Sequence, residues 1–125
     1  MNNLTDKTCT ACRAGAPLAT PQETANCMAQ LPGWQIIVVD GIDQLQKTFT
    51  FKNFVRALEF TNQVGVIAEE ENHHPAIVTE WGRVTVSWWT HKIGGLHAND
   101  FIMAAKTDQI IESRGQGSAL DIGQT

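Results

Sequence analysis

Three of the four histidines in this chain lie close to a group of carboxylates near the middle of the sequence. The segment from Glu69 to Pro75 reads Glu-Glu-Glu-Asn-His-His-Pro, and His91 follows in a Trp-Trp-Thr-His segment. Histidine is the side chain whose unperturbed pKa lies closest to neutral pH, so it can both donate and accept a proton there. The cluster therefore predicts general acid–base catalysis.

The spacing within this segment suggests how the proton-transfer groups would be held. If the preceding helix continues to its last charged residues, Glu69 and His73 lie one turn apart on one face. The carboxylate and the helix C-terminus would then both favour the protonated form of His73, which suits a general acid. Pro75 forces His74 towards an extended backbone, so the two histidine rings could flank one ligand from different directions.

His91 is predicted at the end of a strand, beside a loop that contains Gly94 and Gly95. Simple alternation along that strand places Trp88 on the opposite face from His91. Glycines in the loop would allow backbone N–H and C=O groups to approach a flat, polar heterocycle. These parts together predict a ligand pocket.

The elements that must position these groups follow from hydrophobic periodicity and turn residues. A capping box at Thr20–Glu23, with proline at the first helical position, begins the first helix, and Pro32-Gly33 ends it. Two strands joined at Asp40-Gly41 follow it. A second helix is predicted over about Phe54 to Glu71, because apolar residues recur there at helical spacing.

The second half of the chain repeats the order of two strands and a helix. Two β-rich runs, Ala76 to Trp81 and Arg83 to His91, flank a glycine, and a third helix follows with Asn99 or Asp100 as its N-cap. The order α-β-β-α-β-β-α predicts an α+β domain of two layers. Its four-stranded antiparallel sheet would carry the three helices on one face.

Length and composition bound the organisation of the chain. With 125 residues, of which 42% are hydrophobic, we predict one domain over residues 20–114. Residues 1–19 are predicted as an N-terminal arm and residues 115–125 as a flexible C-terminal tail. The formal charge of −4 argues against nucleic acid as a partner. Without an apolar segment of the length of a signal peptide or a membrane span, the predicted location is the cytoplasm.

Metal binding is the alternative that the cysteines and carboxylates raise. Cys9 and Cys12 have a CxxC spacing, but no second such pair completes a four-ligand zinc site, and we expect reduced thiols without an assigned role. Three carboxylates before two histidines leave a metal-dependent hydrolase as an alternative. Our prediction is that no metal is bound.

The sequence resembles the signature of the pterin-4a-carbinolamine dehydratases of the bacterial type. Eighteen positions separate His73 from His91 and nine separate His91 from Asp100, as in the family pattern. The resemblance covers the chain from about Thr20 to Ile111. The matching residues are Glu69, His73-His74-Pro75, Trp81, Thr90-His91, Gly94-Gly95-Leu96 and Asp100.

This resemblance implies dehydration of 4a-hydroxytetrahydropterin to quinonoid dihydropterin, without a metal or other cofactor. The C4a hydroxyl group leaves with the help of an acid while N5 loses its proton, so an acid and a base must face neighbouring atoms. The resemblance also implies a role in tetrahydropterin recycling, with a functional link to an aromatic amino acid hydroxylase. It assigns catalysis to His73, His74 and His91, and substrate binding or orientation to Glu69, Asn72, Thr90 and Asp100.

Some residues depart from the family pattern or have a second interpretation. Ile77 stands where some members carry an aromatic residue, and His97 stands where a small hydroxyl residue is more usual. We assign His97 no catalytic role. Asp100 is expected mainly as a helix cap that could also support the pocket. Any of the four tryptophans, Trp34, Trp81, Trp88 and Trp89, could stack on a pterin, but most are expected in the core, Trp88 above all.

Interaction rather than catalysis is the alternative from a different class of function. Animal proteins that resemble this family also act as dimerisation cofactors for a transcription factor, through a helical surface. Exposed edge strands of a four-stranded sheet favour self-association. We therefore predict a homodimer or a homotetramer.

Overall fold

The computed structural model describes residues 18–117, with side chains described as far as residue 112. A short 3-10 helix, His91–Ile93, connects the last strand to the last helix. The order of elements confirms the predicted α+β class. The elements are α1 (Pro21–Met28), β1 (Gln35–Val39), β2 (Ile42–Thr50), α2 (Phe54–Glu71), β3 (Ala76–Glu80), β4 (Arg83–Trp88) and α3 (Ala98–Gly117).

The four strands form one antiparallel sheet in the order β1-β2-β4-β3. In the central pair of strands, Leu45 of β2 lies opposite Trp88 of β4. Both side chains are fully buried against the helices. Because β4 is a central strand, the segment that follows it leaves from the middle of the sheet.

Helices α2 and α3 are held on the sheet by apolar side chains at helical spacing. Phe60, Val64 and Ala68 recur every fourth residue of α2 and are buried, as are Phe101 and Met103 near the start of α3. Burial of a side chain as large as phenylalanine stabilises the fold by about 1.5–3 kcal/mol. This packing fixes the C-terminal end of α2 and the N-terminal end of α3 relative to β4.

The first helix begins as predicted. The Glu23 N–H donates to the hydroxyl of Thr20 at 3.1 Å, and the Thr20 N–H donates to the Glu23 carboxylate at 2.8 Å. This reciprocal pair is a capping box, and Pro21 occupies the first helical position.

The chain after β4 differs from the prediction of a strand that reaches His91. The strand ends at Trp88, and Thr90 forms an isolated bridge with Gly95. The Thr90 carbonyl accepts from the Gly94 N–H at 3.0 Å, while the Thr90 N–H donates to the Gly95 carbonyl at 2.8 Å. These bonds close a tight turn, so His91 lies in a turn rather than in a strand.

The prediction that Asn99 or Asp100 caps α3 was wrong. The helix begins at Ala98, so His97 occupies the cap position. Its ring Nδ1 accepts from the Asn99 N–H at 3.1 Å, which satisfies one of the backbone donors of the first turn. Asp100 lies inside that first turn and is available for other contacts.

The ends of the chain are only partly covered by the described residues. Cys9, Cys12 and the predicted arm before residue 18 lie outside them. Helix α3 runs to Gly117, beyond the predicted start of the tail at residue 115. Within residues 18–117, no helix combines the length and the apolar character that crossing a membrane requires.

Candidate active site

The end of α2 determines where the histidine pair begins. Asn72 has a left-handed backbone, with φ 51° and ψ 44°, which asparagine adopts more readily than most residues. The His73 N–H donates to the Ala68 carbonyl at 3.0 Å, and the Asn72 N–H donates to the Glu69 carbonyl at 3.3 Å. This pattern is a Schellman motif. The helix therefore stops before His73 and directs that residue away from the helix axis.

His73 pairs with Asp100 rather than with Glu69, which corrects the predicted pairing. Its Nε2 lies 2.6 Å from Oδ1 of Asp100. His73 is 8% exposed and Asp100 is fully buried. The prediction assumed that the helix continues through His73, whereas the turn at Asn72 moves this ring away from the face that carries Glu69.

Asp100 is the centre of a buried hydrogen-bond network. Besides the ring of His73, its carboxylate accepts from the Thr90 hydroxyl at 2.8 Å and from the His97 N–H at 2.9 Å. The bond from His97 supports the helix start, as expected of a residue in the first turn. Asp100 thus stabilises the start of α3 and also holds a site histidine.

The network assigns the two nitrogens of His73. A carboxylate only accepts hydrogen bonds, so the Nε2 that faces Asp100 carries a hydrogen. In the neutral ring, Nδ1 then has a free lone pair and can accept a proton. In the cationic ring, Nδ1 carries a proton that it can donate. Nδ1 is therefore the atom of His73 that can exchange a proton with a ligand.

A tryptophan ring covers the face of His73. The imidazole and the indole of Trp88 are nearly parallel, at 5°, with their centroids 5.8 Å apart. Trp88 is fully buried in the core. His73 is consequently held at its edge by a carboxylate and on one face by an aromatic ring.

His74 forms the second histidine–carboxylate pair. Its Nε2 lies 2.5 Å from Oε2 of Glu69. Both side chains are exposed, at 53% for His74 and 78% for Glu69. Pro75 disfavours a helical backbone at His74, and the ring of His74 contacts the last turn of α2 through Glu69. Glu69 thus contacts a site histidine as predicted, but a different one.

His91 is exposed and stacks on a neighbouring ring. Its centroid lies 4.4 Å from that of the partly buried Trp89, with 21° between the ring planes. Gly94 has a φ of +65°, which the tight turn after His91 requires. At Gly95 a Cβ atom would lie 2.8 Å from Cδ2 of Leu18. Leu18 is 54% exposed, so its side chain could move to make room for that Cβ atom.

Only some of the predicted site residues are hydrogen-bonded to one another. His73, Thr90 and Asp100 form one hydrogen-bonded network. His74 and His91 directly follow two members of this network in the chain. Asn72 contributes the turn that ends α2 rather than a contact with the network. Within the described residues, no group of three or more His, Cys, Asp or Glu side chains is placed to hold a metal ion.

Two other features lie apart from the histidines. Trp81 is 73% exposed and occupies the turn between β3 and β4, at the opposite end of that hairpin from the ring of Trp88 that covers His73. A pocket of about 220 Å³ lies beside the loop at Gly94 and is lined by none of the three site histidines. Its lining residues include Leu18, Ile36, Asp43, Gly94, Gly95 and Leu96.

Comparisons with known proteins agree on one family. The family model described as "Pterin 4 alpha carbinolamine dehydratase" matches residues 17–110. A protein of Syntrophotalea carbinolica is 61% identical over 112 residues, which cover 90% of this chain and 100% of the relative. A protein of Marinobacter nauticus is 60% identical over 110 residues, which cover 88% of this chain and 99% of the relative. Both carry the name "Putative pterin-4-alpha-carbinolamine dehydratase".

A solved structure extends this similarity to three dimensions. It is the crystal structure of a transcriptional coactivator/pterin dehydratase from Brucella melitensis, with a TM-score of 0.68 and 34% sequence identity. The match covers 75% of this chain and 98% of the other. The similarity therefore includes the fold as well as the sequence.

Proposed function

Because this chain belongs to the pterin 4 alpha carbinolamine dehydratase family, we propose that it converts 4a-hydroxytetrahydropterin to quinonoid dihydropterin by histidine acid–base catalysis. The activity of the family is that of a dehydratase, a hydro-lyase. The observation that carries the proposed mechanism is the buried pair of His73 and Asp100, at 2.6 Å. It gives one histidine a fixed orientation and a defined nitrogen for proton exchange.

The reaction needs two proton transfers at adjacent atoms of the pterin. The C4a–O bond breaks as the hydroxyl group takes a proton and leaves as water. N5 loses a proton, and its electron pair forms the new C4a=N5 double bond. The net reaction is the loss of water without oxidation or reduction of the pterin, so a general acid and a general base suffice to catalyse it.

His73, His74 and His91 are proposed to supply these groups. Nδ1 of His73 is available because Nε2 is bonded to Asp100. His74 and His91 are exposed, so a ligand can reach both rings from solvent. Holding reacting groups in one orientation removes much of the entropic cost of bringing them together.

The remaining site residues are proposed to orient the histidines. Glu69 bonds His74, and Thr90 donates to the carboxylate that holds His73. Asn72 adopts the backbone conformation that directs His73 away from α2. We also propose that some of these side chains contact the substrate. The support for this part of the proposal is the family resemblance.

The experiment that tests this proposal follows the decay of 4a-hydroxytetrahydropterin, which an aromatic amino acid hydroxylase generates in place. We expect the wild-type protein to accelerate the decay and His91→Ala to lose most of that acceleration. His97→Asn is the matched control, because it removes an imidazole while keeping a side chain that can cap α3. A folded wild-type protein that leaves the decay unchanged would contradict the proposed function.

A role in tetrahydropterin recycling follows from the proposed product. Quinonoid dihydropterin can be reduced again, so faster dehydration would return more pterin to a hydroxylase. We expect the protein to raise the sustained rate of an aromatic amino acid hydroxylase when tetrahydropterin is limiting and a reductant for the quinonoid form is present. If the dehydratase is active but the hydroxylase rate does not change, the recycling role is contradicted while the dehydration reaction still stands.

The proposed assembly is a homodimer or a homotetramer. The edge strands β1 and β3 present exposed apolar side chains, with Val38 at 65% and Val78 at 55% exposure. Unpaired edges with apolar side chains favour pairing with another chain. In a symmetric dimer, an edge strand can pair with the same strand of a second copy of this chain.

Binding of a partner helix is the second candidate function. Val55, Leu58 and Val66 form an exposed apolar stripe on α2, at 61%, 41% and 57% exposure. The structurally similar Brucella protein carries the word coactivator in its name. Stable binding of an amphipathic helical peptide, lost in Leu58→Glu and combined with no dehydratase turnover, would favour this candidate over catalysis.

A further inference from the structure

Trp88 is fixed at its polar end as well as by packing. Its Nε1–H donates to the hydroxyl of Thr107 at 3.1 Å, and both residues are fully buried. The flat face of the same indole lies parallel to the imidazole of His73, at 5° and 5.8 Å. A rotation of the indole would therefore change the surface against which His73 packs.

The hydroxyl of Thr107 has only one possible arrangement of hydrogen bonds. It donates its single hydrogen to the Met103 carbonyl at 2.7 Å, because a carbonyl only accepts. Its oxygen then accepts from the indole N–H of Trp88, which only donates. Neither bond can reverse, so this hydroxyl fixes the direction of the indole N–H within the core.

Helix α3 holds His73 in two ways. Asp100 bonds the edge of the imidazole directly. Thr107 lies seven residues, or about two helical turns, further along the same side of the helix and holds the indole. The carboxylate constrains the ring within its plane, while the indole limits its tilt out of that plane.

We infer that Thr107 is a positioning residue for His73, acting through the indole of Trp88. The part of this inference that concerns turnover rests on the proposed catalytic role of His73. Its structural part, that the Thr107 hydroxyl sets the stacking geometry of Trp88 and His73, stands independently of any activity.

The decisive variant is Thr107→Val, which keeps the shape of the side chain and removes the hydroxyl. The buried indole N–H then has no partner, which lowers the stability of the fold. Loss of stability alone does not test positioning, so a matched control is needed. Thr61→Val provides it: the Thr61 hydroxyl donates to the Ala57 carbonyl at 2.9 Å and pairs with the Thr79 hydroxyl at 2.7 Å.

The first readout is the ring-current shift of the His73 imidazole protons in NMR spectra, which reports the position of Trp88. We expect these resonances to move in Thr107→Val, to return in Thr107→Ser, and to stay in place in Thr61→Val. Unchanged His73 resonances in folded Thr107→Val would overturn the inference. This measurement needs no substrate, so its result does not depend on the proposed function.

The second readout is the dehydration rate under saturating substrate. We expect Thr107→Val to lower kcat by about tenfold with little change in KM, since small displacements of a proton-transfer group lower the rate of the chemical step. Thr107→Ser should restore the rate, and Thr61→Val should keep it. A Thr107→Val kcat equal to that of Thr61→Val would overturn the inference.

A double-mutant cycle tests whether the effect passes through the indole. Trp88→Phe keeps an aromatic face and removes the N–H, so Thr107→Val should have no further effect on kcat in that background. An equal fall in both backgrounds would show that Thr107 acts by another route and would overturn the inference. If wild type shows no turnover at all, the proposed function fails, while the NMR comparison still decides whether Thr107 positions His73.

Discussion

Two histidine–carboxylate pairs of similar length have different surroundings in this protein. The His73–Asp100 pair is almost fully buried, whereas His74 and Glu69 are 53% and 78% exposed. Charges attract each other more strongly where water is excluded, and exposed ion pairs contribute little. The buried pair should therefore matter more for catalysis, although both contacts look alike by distance.

The matched substitutions Asp100→Asn and Glu69→Gln test this difference. Asp100→Asn keeps the shape of the side chain but removes the negative charge that fixes His73, so we expect kcat to fall by about 100-fold. Glu69→Gln changes an exposed pair and should lower kcat by no more than about threefold. Steady-state dehydration rates of the two folded variants provide the measurement. An equal loss of kcat in both variants would contradict the claim that the buried pair matters more than the exposed pair.

At this scale the family resemblance was easier to predict than the contacts between the predicted site residues. The spacing of His73, His91 and Asp100 brought the family resemblance, which the comparisons confirm. The pairing of Glu69 with His73 was wrong because the prediction extended α2 past the turn at Asn72. The stacking of His73 on Trp88 has no sequence signal, since it depends on how two separate segments meet in space.

The ends of helices, more than their middles, shape this site. The Schellman motif at the end of α2 directs His73 outwards, and the start of α3 presents Asp100 to it. Buried residues along α2 and in the first half of α3 anchor both helices, so these ends stay in place relative to β4. A change of backbone conformation at Asn72 should therefore affect the site as well as the stability.

Substitutions at Asn72 separate its backbone role from a side-chain role. A left-handed backbone costs an ordinary residue about 1–2 kcal/mol, whereas glycine adopts it freely. We expect Asn72→Ala to lower the free energy of unfolding by about 1 kcal/mol and to reduce kcat, and Asn72→Gly to retain most of the activity. Urea denaturation and dehydration rates test this. An active Asn72→Ala with an inactive Asn72→Gly would indicate instead that the conformation is unimportant.

The helix starts show why one cap was predictable and another was not. Thr20 and Glu23 form a capping box that spacing alone identifies. His97 caps α3 through a ring nitrogen, and histidine is not among the preferred N-cap residues. Asn99 and Asp100 are better caps by residue type, but the helix begins at Ala98, so its cap lies two residues before Asn99 and three before Asp100.

On the scale of the whole molecule, the exposed edge strands lead to a prediction of assembly. We expect a mass in solution that is a multiple of the 13.7 kDa chain, measured by light scattering. Val38→Lys or Val78→Lys should lower that mass, because a charge at an edge opposes strand pairing. Ala29→Lys places the same charge on an exposed position after α1 and serves as the control. A monomeric wild-type protein would contradict the predicted homo-oligomer.

Treatment with a chelator tests the acid–base mechanism against metal catalysis. Proton transfer by histidines needs no metal ion, so the dehydration rate should stay the same after dialysis against EDTA. Loss of activity that returns on adding Zn²⁺ or Mn²⁺ would instead favour a metal-dependent mechanism. The measurement uses the wild-type protein without substitutions.

The whole fold was more predictable than its connections. Apolar periodicity in α2 and the alternation of Val84, Val86 and Trp88 predicted the layers, since burial imposes these patterns. The strand order β1-β2-β4-β3 and the early end of β4 arise from contacts between distant segments. The same contacts bring Thr90, His73 and Asp100 together. The sequence could therefore indicate these residues but not the hydrogen bonds between them.

The most direct test of the central claim is the single-turnover decay of 4a-hydroxytetrahydropterin in the presence of wild type or His73→Gln. The glutamine keeps a polar side chain near Asp100 but cannot exchange a proton near neutral pH. We expect wild type to accelerate the decay and folded His73→Gln to accelerate it at least about 100-fold less. Equal acceleration by wild type and His73→Gln would contradict histidine acid–base catalysis at this site.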